Sequence, residues 1–402
     1  MHEPHEYPHE CVVFSPIVAT ARNGARTIGV KGDMEARGHE ECNDRRARNT
    51  PLFRPGNVRK STQTQRRNAQ VFRRSLKLSH AGRTVRERDV RVVTGKAERM
   101  GTTGTIRVAT RGSALALAQA GLVIAALETV DSAIAYEIVI VQSEGDRDKR
   151  SPLAVIGGQG VFTMAVQEAV RVGKADIAVH SAKDLPPATP ADLVLAAFLP
   201  REDPRDVFIS RHDVPLAELP AGATVGTSSR RRGVQARATN ADVAIIELRG
   251  NLDTRLRKGE TEPYDGIIVA AAGLARMGWS DRVTEYLPVH CFVPAPAQGA
   301  IGIECRADDD ATIALLARID DAETRMAVTA ERAGLVAIGA GCLSPFALHA
   351  EVRGERLHLW GMMADTEAMN ARWLDAVAPA NDPLTAGAHL AELLAGEVGA
   401  WA

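Results

Sequence analysis

From Thr105 onward the sequence alternates short β-branched runs with Ala/Leu-rich helical patterns, an order that βαβ units around a mainly parallel sheet satisfy. "TIRVAT" runs into "GSALALAQAGLVIAALETV", "YEIVIVQ" gives way to a polar loop, and "GGQGVFTMAVQEAVRVG" precedes "ADIAVHS". The order then recurs as "ATVGTSS" with "RRRGVQARA", "VAIIEL" with "RGNLDTRLRKG", and "DGIIVAAAG" with "LARMG". Each predicted strand ends at a polar tip. Two proline-bearing stretches read as crossovers between domains, "FLPREDPRDVFIS" over 198–210 and "CFVPAPAQGAIGIE" over 291–304, the second leading back into one more strand. The expected class is therefore α/β, with a discontinuous first domain (101–200 plus 300–320) and a second over 201–299. From 321 to 402 a smaller α+β domain is expected, with the helix "TRMAVTAERAGLVAIG", the loop "AGCLSP", the strands "FALHAEV" and "RLHLWGMM" and a last helix near "PLTAGAHLAELLAGEV".

The first hundred residues carry neither period. They hold 21 Lys and Arg against 11 Asp and Glu, whereas the remainder holds 28 against 39, so a net charge of −1 conceals two unlike halves. With no apolar face to bury, residues 1–100 read as a disordered basic extension. They lack the aromatic interleaving of a nucleic-acid arm and open with the acidic "MHEPHEYPHE", and Met100 offers itself as a natural start. No run approaches the roughly 18 apolar residues of a membrane span. Five widely spaced cysteines without a CxxC pair point to neither a zinc site nor a disulfide framework, and no metal is expected. A cytoplasmic protein acting as a monomer, without nucleic acid or membrane as partner, is the expectation.

In sheets of this kind ligands sit at the carboxyl ends of the strands, where helix N-termini present free N–H groups. Three junctions there combine hydroxyls with cations: "ATRGS" (Thr110, Arg111, Ser113), "VHSAKD" (Ser181, Lys183) and "GTSSRRR" (Thr227, Ser228, Ser229, Arg230, Arg231, Arg232). Arg249, Arg255 and Arg276 follow in "ELRGNLDTR" and "AGLAR". Any one junction is explained by helix capping and solvation; the set points to a polycarboxylate or polyphosphate ligand, because a guanidinium forks a carboxylate bidentately. "GGQG" at 157–160 matches neither phosphate-loop pattern. Asp184, at a strand tip among cations, suits holding a developing positive charge. Cys342 lies among small residues in "GAGCLSP", while Cys291 and Cys305 read as buried apolar positions.

Eight motifs in order, "ATRGSALALAQA", "VHSAKDLP", "REDPRDVF", "GTSSRRR", "LRGNLDTRL", "AAAGLARMG", "PAPAQGAIGIECR" and "GAGCLSP", resemble the porphobilinogen deaminase (hydroxymethylbilane synthase) family over 105–350. The resemblance implies three domains, the first two shaped like periplasmic binding proteins, and a transferase of tetrapyrrole and heme biosynthesis. It implies a dipyrromethane cofactor, attached through the thioether of a cysteine matched by Cys342, on which four porphobilinogen molecules are assembled into hydroxymethylbilane. Asp184 then matches the catalytic carboxylate that binds pyrrole N–H groups and stabilises the azafulvene cation formed as ammonia leaves. Lys183, Thr227, Ser228, Ser229, Arg231, Arg232 and Ser113 match cofactor-binding positions, and Arg111, Arg249, Arg255 and Arg276 positions that bind substrate and growing chain. Gln159 stands where many members have lysine, and Arg230 where an apolar residue is common. A two-lobed binding or sensing module for a polycarboxylate is the alternative, and it leaves Cys342 and Asp184 without a role.

Overall fold

The computed structural model describes residues 104–141, 161–261, 263–339, 345–365 and 370–399. The extension 1–100, Gln159 and Cys342 lie outside the described residues. In the first unit, β1 (Thr105–Arg111), α1 (Ala114–Val130), β2 (Ala135–Val141), α2 (Val161–Arg171), β3 (Ile177–Ser181) and β4 (Leu193–Phe198) follow one another. β1 runs parallel to β2 and to β3. Val108, Ile177 and Ile303 pack with Ala120, Val123 and Leu127 of α1 in a core without solvent contact. β3 is buried at four of its five positions, which is why it reads as an apolar run rather than an alternation.

The chain next forms β5 (Asp206–Ser210), β6 (Thr224–Gly226), α3 (Arg230–Thr239), β7 (Ala244–Ile246), α4 (Leu252–Gly259), β8 (Gly266–Ala270), α5 (Ala271–Met277) and β9 (Glu285–Tyr286), and returns as β10 (Ile301–Arg306) before α6 (Asp310–Leu316). The two sheets share one plan: β2-β1-β3-β10-β4 in the first, β7-β6-β8-β5-β9 in the second. In each, one antiparallel strand arrives from the other unit, β10 against β3 and β5 against β8. "DVFIS" is thus a strand, and the first crossover stops short of it. Its charged opening masked this, because Asp206 is a buried acid with partners far along the sequence.

The third unit comprises α7 (Ala322–Ala337), the antiparallel sheet of β11 (Phe346–Arg353), β12 (Arg356–Ala364) and β13 (Ala371–Pro379), and α8 (Pro383–Gly399). β13 was not foreseen. Both helices cover one face of this sheet, and they approach so closely that a Cβ on Gly387 would lie 1.8 Å from the Ala330 carbonyl oxygen. On the other face Ala347, Met362 and Ala364 meet Val234 and Val293 of the second unit. Glu331 of α7, fully buried, accepts from Arg201 Nη1 at 2.6 Å and Nη2 at 3.0 Å and from the Ala350 N–H at 2.7 Å, fastening the third unit to the first crossover. Among the described residues no helix is long and apolar enough to cross a membrane.

Candidate active site

β3 ends where Ala182–Asp184 makes one short 3₁₀ turn, anchored by the Ala182 N–H on the Ala300 carbonyl at 3.0 Å and followed by Pro186 and Pro187. Proline disfavours helix in the residue before it, so the turn cannot lengthen and Asp184 is left exposed at the strand tip. β1 delivers Thr110 and Arg111 to the same end, where Ser113 caps α1 by accepting the Ala116 N–H at 3.3 Å. The carboxyl end of β8, the N-terminal turn of α4 and the return crossover at Gly299 and Ala300 close the opposite side.

These tips enclose a cavity of about 310 Å³, within the range usual for small-molecule sites. Arg111, Lys183, Arg232, Arg255 and Arg276 line it, facing the carboxylates Asp184 and Asp253. Several cations are seated by the protein itself. Arg255 Nε donates to the Gly250 carbonyl at 2.8 Å, Arg276 Nη2 to that of Gly299 at 2.5 Å, and Lys183 Nζ to Gln298 Oε1 at 3.1 Å. Arg232 places Nε and Nη2 on Asp206 Oδ1 at 3.0 and 2.7 Å.

Burial, and after it the Arg232 charge, draws the Lys183 ammonium down to about 8 against the partial support of Asp184 and Asp206. Arg255 and Arg276 are lowered to about 10, mainly by burial, and so remain cations at neutral pH. Burial alone would push the Asp206 carboxyl up; the Arg231 and Arg232 guanidiniums outweigh it and hold the acid well below the usual carboxylate range. The cavity wall is thus a field of five cations against two acids, Asp184 in the turn after β3 and Asp253, which suits a ligand carrying several carboxylates.

Not every residue singled out from the sequence faces this space. Arg231 turns inward, Nη1 on the Val293 carbonyl at 2.6 Å and Nη2 against Asp206 Oδ2 at 2.7 Å, and is absent from the lining. Thr227, Ser228 and Ser229 line a separate cavity of about 370 Å³ together with Arg230 and Arg237. Arg249 lines neither space, its Nε donating to Glu247 Oε1 at 2.6 Å. Conversely, Asp206, Gln298 and Gln119, whose amide donates to Ser181 Oγ at 2.8 Å, were passed over. For the two glutamines the signal was present, since "PAPAQG" and "ALALAQA" each hold a lone polar residue in an apolar run, whereas Asp206 is hidden in the charged cluster "REDPRD".

A family model described as "Porphobilinogen deaminase, dipyromethane cofactor binding domain" matches residues 106–314, and one for the C-terminal domain of the same enzymes matches 325–396. The chain belongs to the porphobilinogen deaminase family. The porphobilinogen deaminase of Roseiflexus sp. (strain RS-1) is 43% identical over 290 residues, which is 72% of this chain and 95% of that protein. That of Syntrophus aciditrophicus is 44% identical over 289 residues, covering 72% and 94%. Residues 1–100 fall outside both matched domains. As a fit for a porphobilinogen deaminase cofactor, the donor set is apt: five cationic side chains line the cavity, a setting that suits carboxylate arms, and Asp184 can accept pyrrole N–H groups.

Proposed function

We propose that this chain is the transferase that joins four porphobilinogen molecules head to tail on a covalently held dipyrromethane primer and releases hydroxymethylbilane by addition of water. The observation that carries the reading is the exposed Asp184 at the tip of β3, opening on a cavity lined by Arg111, Lys183, Arg232, Arg255 and Arg276. Dipyrromethane, when bound through the Cys342 sulfur, provides the pyrrole carbon to which the first substrate is joined. In each round the substrate's aminomethyl C–N bond breaks, ammonia leaves, and the methylene carbon bonds to the terminal pyrrole carbon, which loses its proton. Positive charge develops on the substrate ring as ammonia departs. Asp184 is placed to accept the ring N–H and to balance that charge, a stabilisation that grows toward the transition state. Arg111, Arg255 and Arg276 hold the acetate and propionate arms of substrate and growing chain, and Arg249 does so from farther out. Lys183, Arg232 and Ser113 hold the primer, Arg231 bracing Arg232 through the shared Asp206, while a role for Thr227, Ser228 and Ser229 in primer binding would be exercised from the separate cavity they line.

We also propose a domain division at 101–200 plus 300–320, 201–299 and 321–402, and a monomer working in the cytoplasm. A polycarboxylate-sensing module is not favoured, because a sensor has no need of an acid at the mouth of a cationic cleft. The test is Asp184→Asn. The amide keeps the size but not the charge, and porphobilinogen turnover should fall by about 10²–10³, while intact mass still shows the two-pyrrole adduct. Near wild-type turnover would end the assignment.

A further inference from the structure

Gln298 is 1% exposed and sits in the return crossover between two residues of positive φ, Ala297 at 61° and Gly299 at 91°. Both ends of its side chain are used. Oε1 accepts from Lys183 Nζ at 3.1 Å, and Nε2 donates to Asp206 Oδ1 at 2.9 Å and to the Pro204 carbonyl at 2.8 Å. Its own carbonyl accepts from Arg201 Nε at 2.8 Å. The amide orientation follows from the chemistry, since the reverse would set NH₂ against an ammonium and oxygen against a carboxylate. Gln298 thus connects the turn that bears Asp184 to the acid that braces α3.

We propose that Gln298 is a positioning residue for the reaction, fixing the Lys183 ammonium beside Asp184 and tying it to the Asp206 brace across both crossovers. The inference rests on the reading of Asp184 as the reactive carboxylate. The charged groups around Lys183 are Asp184 in its own turn, Arg231 and Arg232 from α3, and Asp206 from β5. Two of these are cations on one helix. Without the amide oxygen, the ammonium has less to hold it in place against them.

The test compares the holoenzyme with Gln298→Met, which keeps the length and loses all three side-chain hydrogen bonds, and with Gln298→Glu, which keeps an acceptor for Lys183. Acetic anhydride labelling of Lys183 across pH, read by peptide mass, reports its protonation independently of turnover. Removing a hydrogen bond to a charged group should lower the labelling midpoint in the Met variant by about one pH unit, and a carboxylate partner should raise it in the Glu variant. The alkaline limb of the turnover profile should move in the same sense. A midpoint unchanged in both folded variants overturns the proposal, as does lost turnover without a shift. Should the Met variant fail to fold, the Glu variant decides: a midpoint at or below wild type refutes it. Failure of the Asp184 assignment would appear instead as normal turnover in Asp184→Asn with these labelling shifts intact.

Discussion

Asp206→Asn probes a buried carboxylate shared by two buried arginines. The acid is fully buried, and its side chain receives Arg231 Nη2 on Oδ2 at 2.7 Å, Arg232 Nε and Nη2 on Oδ1 at 3.0 and 2.7 Å, and Gln298 Nε2 on Oδ1 at 2.9 Å. Both arginine side chains are only 7% exposed, so neither can recover its hydration when the charge is removed. Breaking a buried pair from one side costs about 3–5 kcal/mol. At roughly 2 °C per kcal/mol for a chain of this size, the first melting transition should fall by about 6–10 °C. The comparison is of that transition alone, because three domains need not unfold together. The sign with pH is also fixed. A carboxyl held below its unfolded value contributes its full stabilisation above about pH 3.9 and loses it as pH falls from there toward the folded value, so the variant should show a flatter acid limb. Arg232→Met supplies the cross-check. Once the carboxylate is gone, Arg232 is a buried cation without its partner, and the double variant should be more stable than the sum of the singles predicts, by about 1–3 kcal/mol. A melting shift within 1 °C, or strictly additive costs, would refute the reasoning.

Cys342→Ser should abolish the two-pyrrole mass increment, whereas Cys305→Ser should leave it unchanged, because the Cys305 thiol is buried in β10 and pushed up to about 11, chiefly by burial; an adduct retained on the Cys342 variant defeats the first expectation. Gly387→Ala should destabilise the third unit by about 1–3 kcal/mol, read by urea denaturation, since its methyl would meet the Ala330 carbonyl and force α7 and α8 apart. A stability equal to wild type would show that the helices can yield.

The doubly repeated sheet was legible because β-branched runs and Ala/Leu helices differ in period, and that difference survives in local sequence. "DVFIS" was not, because nothing local reports that an acid opening a strand will be neutralised by Arg231 and Arg232, 25 and 26 residues on. β13 escaped for a related reason: "ARWLDAVAP" carries Arg372 and Asp375 within a strand that lies at the sheet edge. At the site, the residue types were legible and their directions were not. Successive residues on a helix point about 100° apart, so the three arginines of "RRR" cannot act alike. Arg230 is exposed beside the second cavity, Arg231 turns to the Val293 carbonyl, and Arg232 alone reaches the main cavity.

That division of labour bears on how the cleft holds many carboxylates without being built anew for each. A guanidinium has five N–H donors, and the bonds of Arg255 to Gly250 and of Arg276 to Gly299 take one each. Arg232 spends its donors on Asp206 and on the Ile268 carbonyl at 3.1 Å, so its part in the cavity is largely that of a fixed charge. Seating cations on backbone carbonyls and on one shared acid removes rotamer entropy before any ligand arrives, which leaves more of each ion pair's energy for the ligand. It also explains why the cavity tolerates its net positive charge: Asp206 lies behind the wall and offsets it from within, leaving Asp184, just past β3, and Asp253 as the acids that line the ligand's space. A chain that relied on flexible surface arginines would meet each added pyrrole with a new ordering cost, whereas this arrangement meets every one with the same preset field.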